Sequence, residues 1–197
     1  NPLGSDSITH IITVTPTYTA NVTATPNPVA CGAPVQLNAA ASGSNNINYT
    51  VAATTYAPYS GTLTAVSLTD DVTSGVLPIG FNFSFYGQTY SSFYICSNGY
   101  ITFTSGQPAS PVYGVAIPNV STPNNYIAGA WNDLNPSNAG SSVGYFVTGS
   151  APNRKLVVQY ITSHYGGTGY PYNFQIVLCE GSNNIEIHTT TISNASA

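Results

Sequence analysis

A side-chain period of two is the feature that most restricts what this chain can become. Residues 8–15 set Ile8, His10, Ile12 and Val14 on one side and Thr9, Ile11, Thr13 and Thr15 on the other. Residues 18–25 repeat the pattern, with Tyr18, Ala20, Val22 and Ala24 opposite threonines and Asn21. Alternation of this length is the signature of a strand with unlike faces. Pro26-Asn27-Pro28 interrupts the run, and Val35, Leu37 and Ala39 resume it. Further strands are expected near 62–68, 80–86, 92–96, 100–104, 126–131, 143–148, 155–161, 173–179 and 184–190, a spacing close to the roughly 8–12 residues of an all-β sandwich. Phe81, Phe83 and Phe85 share one face of a single strand. Ser97-Asn98-Gly99 between Cys96 and Tyr100 reads as a hairpin turn, because Asn-Gly tolerates positive φ, and Ser182-Asn183-Asn184 turns the last pair in the same way. No segment has a sustained helical period, so helix is expected to be nearly absent.

Composition then removes whole classes of function. Only 4% of the 197 residues are charged, against about 25% in an ordinary domain. The polar surface must therefore be built from Thr, Ser, Asn, Gln and Tyr. Arg154 and Lys155, the only two basic residues, cannot neutralise the several phosphates that nucleic-acid binding requires, nor make a polybasic membrane patch. No apolar run approaches the roughly 18 residues of a membrane-spanning helix. Asn1 to Asp6 has neither the charged start nor the apolar stretch of a signal peptide, so the chain is read as cytosolic or already processed. Five sequons, at Asn21, Asn48, Asn82, Asn119 and Asn194, fit an exported glycoprotein. A neutral surface offers little charge repulsion between copies, which suits an extracellular or cell-surface protein that assembles.

The opening residues carry the sharpest consequence of that pattern. Residues 8–25 are strand-like, yet no turn folds them back on a neighbour, and a lone strand is unstable in water. They add either to the edge of the chain's own sandwich or to the edge of the next copy, as β-strand addition. The assembly strand would carry Ile8, His10, Ile12, Val14, Tyr18, Ala20 and Val22.

Motifs that suggest chemistry are few. Gly140-Ser141-Ser142-Val143-Gly144 fits a nucleophile-elbow pattern, but that motif needs a strand before and a helix after, and here a turn-rich segment precedes and a strand follows; Ser142 is read as turn. His10, His164 and His188 with Asp70, Asp71 and Asp133 supply titratable groups without motif spacing, and Asp70-Asp71 reads as a solvated turn. Asn132-Asp133-Leu134-Asn135 offers oxygens for calcium, but one carboxylate is few for an ion that takes about 6–8 oxygens, so turn capping is preferred. The readings are no catalytic residue, no metal and no cofactor. The loop from Ser163 to Tyr172 is the most distinctive exposed segment: Tyr165, Tyr170 and Tyr172, with Trp131, are candidate contacts for a sugar ring or a neighbouring subunit. Cys31, Cys96 and Cys179 make an odd count, which means one bridge and a leftover thiol, or an intermolecular bond.

The stretches LPIGFNFSFYGQTYSSFYICSNGYITF (77–103), IAGAWNDLNP (127–136), VGYFVTGSAPNRKLVVQYI (143–161) and FQIVLCEGSNNIEIH (174–188) resemble a nidogen-like β-sandwich module over about 49–192. NVTATPNPVACGAPVQLNAAASG resembles the first strands of an Ig-like or PKD-like surface repeat. The resemblance implies a secreted, non-catalytic module of adhesion or surface architecture, of the kind found in gliding and other Bacteroidetes-type bacteria. Within it Cys96 and Cys179 end core strands and are the first choice for a disulfide.

The reading is an all-β, antiparallel β-sandwich (jelly-roll or Ig-like) with an extended N-terminal segment, residues 1–28, and a sandwich domain, residues 29–197. Its function is that of a structural subunit of a cell-surface filament or adhesin, its partners other copies of itself or neighbouring repeats. The alternative is a carbohydrate-binding or accessory module whose partners are glycans.

Overall fold

In the computed structural model residues 9–15, 18–25, 36–43, 48–117 and 119–193 are described, with backbone alone for those up to 48 and for residue 54. Ile8, Cys31 and Asn194 lie outside the described residues. Among the described residues there is no helix. The strands are β1 (Thr9–Thr15), β2 (Tyr18–Thr25), β3 (Gln36–Gly43), β4 (Asn48–Thr54), β5 (Thr64–Ala65), β6 (Leu77–Phe85), β7 (Gln88–Cys96), β8 (Tyr100–Thr102), β9 (Tyr126–Ala128), β10 (Ser142–Thr148), β11 (Lys155–Ser163), β12 (Pro171–Cys179) and β13 (Ile185–Ile192).

Every pairing between them is antiparallel. A seven-stranded sheet runs β4-β1-β13-β12-β11-β10-β5, a four-stranded sheet runs β6-β7-β8-β9, and β2 pairs with β3. The expected antiparallel sandwich is therefore present. Its core is filled from both large sheets. Ile79, Phe81, Phe83 and Phe85 of β6, Ile95 of β7 and Ile101 of β8 join Leu156, Val158 and Tyr160 of β11 and Phe174, Ile176 and Leu178 of β12 in one buried cluster. The alternation of β6 does what its sequence implies, since Asn82 between the buried phenylalanines is exposed. Phe103 continues this aromatic layer, stacking on Tyr90 at 4.6 Å and on Phe83 at 5.9 Å.

The central strands β11 and β12 are largely buried on both faces, as the apolar stretches Leu156 to Val158 and Ile176 to Cys179 imply. Val157 and Val177 point away from the main core and join Phe146 and Cys179 in a second cluster, covered by Tyr59 and Leu63 from the segment before β5. Gln175 fixes that cover: its Oε1 accepts the Tyr59 N–H at 2.9 Å and its Nε2 donates to the Tyr59 carbonyl at 2.7 Å.

The opening ribbon is not an orphan in the folded chain. β1 lies between β4 and β13 of the same molecule, with His10 opposite both Ala53 and Ile187, and β2 pairs with β3 from Tyr18↔Gly43 to Thr25↔Gln36. A division at residue 28 thus parts two strands that are hydrogen-bonded partners.

The expected disulfide is absent: Cys96 and Cys179 are both buried free thiols. The reason is topological. Cys96 ends β7 in the smaller sheet and packs with Tyr100 and Ala109, whereas Cys179 ends β12 and packs on the far side of the larger sheet.

The turn after Cys96 closes the fold. Ser97, Asn98 and Gly99 are buried rather than exposed. Gly99 takes φ +84°, and a Cβ there would come within 2.1 Å of the Ala130 carbonyl oxygen. Asn98 Nδ2 donates to Asp71 Oδ1 at 2.7 Å and to the Ala109 carbonyl at 3.1 Å, while its Oδ1 accepts the Leu134 N–H at 3.0 Å. Tyr160, wholly buried on the opposite sheet, shares its hydroxyl hydrogen between the carbonyls of Cys96 and Tyr100, each 2.9 Å away.

Stripping Asn98 of its amide leaves a buried N–H and a buried carbonyl unpaired, so Asn98→Ala is expected to lower unfolding free energy by about 3 kcal/mol, and Tyr160→Phe by about 1–2 kcal/mol. Equilibrium denaturation of the two variants checks this, and a cost for Asn98→Ala below that of Tyr160→Phe would contradict the ranking.

Candidate functional site

The seven charged side chains among the described residues collect in two places. Arg154, Lys155, Glu180 and Glu186 meet at the β11–β12–β13 end of the large sheet, and Asp70, Asp71 and Asp133 meet beside the buried Asn98 turn.

At the first place a cavity of about 340 Å³ is lined by Arg154, Lys155, Cys179, Glu180 and Glu186 among others. Strand register creates it. Lys155 lies directly across from Cys179, and Glu186 follows one residue after Ile185, the partner of Leu178. Glu186 Oε1 accepts from Lys155 Nζ at 2.7 Å and from the Cys179 thiol at 3.3 Å. Its Oε2 accepts from the Tyr59 hydroxyl at 3.1 Å and lies 3.0 Å from His188 Nε2. Lys155 also donates to the Tyr59 hydroxyl. Arg154 donates through Nε and one terminal nitrogen to both oxygens of Glu180, at 2.8 and 2.5 Å, and through the other to the Gly80 carbonyl.

These contacts hold each group in its resting form. Burial pushes the Glu186 carboxyl up, but hydrogen bonds from His188 and Lys155 outweigh it and bring the pKa down to about 2. Burial disfavours the Lys155 ammonium, and the hydrogen bonds to Glu186 and Tyr59 more than compensate, so it stays protonated well above its usual range. Burial and the Glu186 charge push the Cys179 thiol up to about 12. A thiol so protonated is a poor nucleophile, a lysine held cationic is no free amine, and a carboxylate this acidic is no proton donor near neutrality. The cluster ties Lys155 of β11, Cys179 of β12 and Glu186 and His188 of β13 together across the strand ends.

At the second place the three carboxylates bring one oxygen each within 4.8 Å of one another. Asp71 sits in the left-handed region at φ 50° and is held by Asn98, while Asp70 Oδ1 and His164 Nε2 are buried without a hydrogen-bond partner. Desolvation first, then repulsion from the neighbouring carboxylates, raises both Asp70 and Asp133 above the ordinary aspartate value. Three convergent carboxylate oxygens are a hard-cation donor set, though smaller than the six to eight that calcium commonly takes. The Asn132–Asn135 loop adds little to it. Asn132 Oδ1 accepts from the Asp133 N–H and Asn135 Oδ1 from the Ser137 N–H, so both amides cap turns as their sequence suggests.

The other sequence-derived candidates scatter. Tyr165 and Tyr170 are exposed at 59% and 45% on the tip between β11 and β12, where Tyr170 meets the His164 ring edge-on. Tyr172 is not on that surface: it is 1% exposed, donates to the Ser193 carbonyl and accepts from Asn132, because it falls on the inward side of β12. Trp131 is half-buried against Tyr100 and Tyr126, with its indole N–H on the Pro111 carbonyl. Ser142 is the exposed first residue of β10 rather than a turn residue. Asn82 and Asn119 are exposed, and Asn21 and Asn48 lie in β2 and β4. Residue spacing held no signal for either charge cluster, since Asp133 is distant in sequence from Asp70 and Glu186 from Lys155.

Together these features define a class, an antiparallel β-sandwich module with few charges, those of the described residues gathered in two partly exposed clusters. The chain belongs to the nidogen-related family, described as NIDO related, whose model matches residues 48–197, and on that ground it is an extracellular module. No curated protein and no solved structure matches it.

The two clusters oppose each other in acid. Glu180 and Glu186, held near 2 against a normal 4.5, contribute stability that is present above about pH 4.5 and lost as pH falls toward 2. Asp70 and Asp133, raised above 3.8, contribute stability that is present below that value and lost as pH rises through their folded pKa. Glu186→Gln is therefore expected to flatten the acid limb of a melting-temperature profile between pH 4.5 and 2. In chelator, Asp70→Asn is expected to raise the melting temperature at pH 7 and leave it unchanged at pH 3; a steeper acid limb in the first variant, or a drop at pH 7 in the second, would refute the assignment.

Proposed function

We propose that this chain is a structural module of an extracellular surface assembly or adhesin, working through contact rather than catalysis. The observation that carries the reading is the placing of charge: the described charged groups are gathered in two networks, and the remaining surface is built of hydroxyls, amides and tyrosines. Such a surface lets sheet edges and loops of neighbouring copies approach without ionic repulsion, and its contacts respond weakly to salt.

The finer proposal is that β1 can be exchanged between copies. β1 joins strands far from it in sequence, Thr9 facing both Thr54 and His188. The same segment of a second molecule would meet identical hydrogen-bond partners in that slot. An exchange that does not close on itself makes a filament. Support for the adhesin side comes from the exposed Tyr165 and Tyr170 on a glycine-containing tip.

Negative-stain images and sedimentation of the intact chain are expected to show concentration-dependent assemblies that persist from about 0.05 to 0.5 M salt. A chain lacking residues 6–25 is expected to lose them. A monomer at every concentration, or assemblies surviving the deletion, would overturn the exchange.

A further inference from the structure

A pocket outside both charge networks lies between the β6–β7 hairpin and the long connection from β8 to β9. It measures about 270 Å³ and is lined by Tyr86, Ile117, Asn119, Asn124, Asn125 and Tyr126, with no charged group. Ligand pockets for drug-sized molecules run from about 300 Å³ upward, so this one has room for a single ring.

Its most unusual member is Tyr86. Tyr86 and Gly87 form a two-residue hairpin loop between Phe85 and Gln88, both with positive φ, at 47° and 76°. A turn of that type favours Asn-Gly, and a bulky side chain in the left-handed region is an outlier. The local backbone therefore does not ask for tyrosine. Nor does the core, because the ring remains 55% exposed while resting against Tyr49 at 4.5 Å and Phe85 at 4.7 Å. Its own N–H is tied to the Tyr49 hydroxyl at 3.0 Å, which holds the hairpin tip in place. The result is an aromatic surface fixed at the pocket wall.

Amides line the same pocket. Asn125, at φ 52°, is anchored by Nδ2 on Thr104 Oγ1. The Asn124 backbone is pinned from both sides, its N–H on Gln107 Oε1 and its carbonyl under Thr102 Oγ1, while no hydrogen bond within the described residues engages its side-chain amide. Asn119 uses Oδ1 to accept the Ser121 N–H and keeps its Nδ2 for another partner. A side-chain amide both donates and accepts, which matches a hydroxyl group, and an aromatic face accepts the apolar side of a ring.

We propose that this pocket binds one ring of a neutral saccharide, stacked on Tyr86 and hydrogen-bonded through the amides of Asn119 and Asn124. Charge selects among sugars: with no basic residue in the lining and a formal net charge of −4, a uronic or sialic acid gains no partner there. This goes beyond the structural reading and does not depend on it, since a module can hold a sugar whether or not it polymerises.

Affinity electrophoresis of the full, unglycosylated chain through gels containing mannan, xylan, mixed-linkage glucan or polygalacturonate tests the site. Retardation by at least one neutral polymer and none by polygalacturonate is expected. Tyr86→Asn is the informative variant because it installs the favoured turn pair: retardation should vanish while the melting temperature does not fall. Asn124→Ala should weaken binding about tenfold, the loss of one hydrogen bond. Passage unretarded through all three neutral gels, stronger retardation by polygalacturonate, or retention unchanged by Tyr86→Asn would overturn the proposal. So would loss of retention in Tyr165→Ala or Tyr170→Ala with Tyr86→Asn unaffected, which would move the sugar to the β11–β12 tip.

Discussion

The fold depends on a polar turn buried where an apolar plug would be expected. Ser97, Asn98 and Gly99 bring backbone groups into the interior, and unpaired groups there would cost more than the burial returns. Asn98 meets that demand by joining four stretches of chain, around residues 71, 98, 109 and 134, through three hydrogen bonds. Ser97 adds a fourth bond, its hydroxyl oxygen accepting the Val72 N–H at 3.0 Å. Tyr160 then reaches from the other sheet to the carbonyls on either side of the turn. The two sheets are thus joined by directional bonds as well as by their phenylalanines.

The same turn ties structure to chemistry. By fixing Asp71 it sets the position of the carboxylate group that gathers with Asp70 and Asp133. A chain with so few charges does not scatter them. Each of its two cations has a carboxylate partner, Arg154 with Glu180 and Lys155 with Glu186, and the three aspartates lie together without a cation among the described side chains. Outside these two clusters the described side chains are neutral, so the surface they form offers hydroxyls, amides and aromatic faces. The nidogen-related family and the ion-paired, partly buried Lys155 are consistent with one extracellular module.

Much of the architecture could be read from alternation. Phe81, Phe83 and Phe85 face inward as their spacing demands, β7 through β13 fall near their expected places, and the tyrosine loop is indeed the tip between β11 and β12. Tyr172 was harder to place, because a loop cannot be told from the first residues of a strand when both are rich in Tyr, Pro and Asn, and one added residue of strand turns a side chain from solvent to core. The cysteines were misleading for a related reason: ending a core strand says nothing about which sheet, or which face, that strand occupies. The Asn98-Gly99 dipeptide indicates a hairpin turn, which is correct for the backbone and silent about burial.

The amino-acid order alone determined the strand class, the positions of most strands, the absence of a basic surface and the family. Those properties are local or additive, set by each residue's own preference and by its immediate neighbours. Which distant segments would lie side by side was decided only by tertiary structure: Asp133 with Asp70 and Asp71, Glu186 against Lys155 and Cys179, Asn119 and Asn124 in one pocket lining with Tyr86, and β1 between β4 and β13. A period of two states which side of a sheet a residue takes, but the partner across the sheet is chosen by how all the strands pack at once.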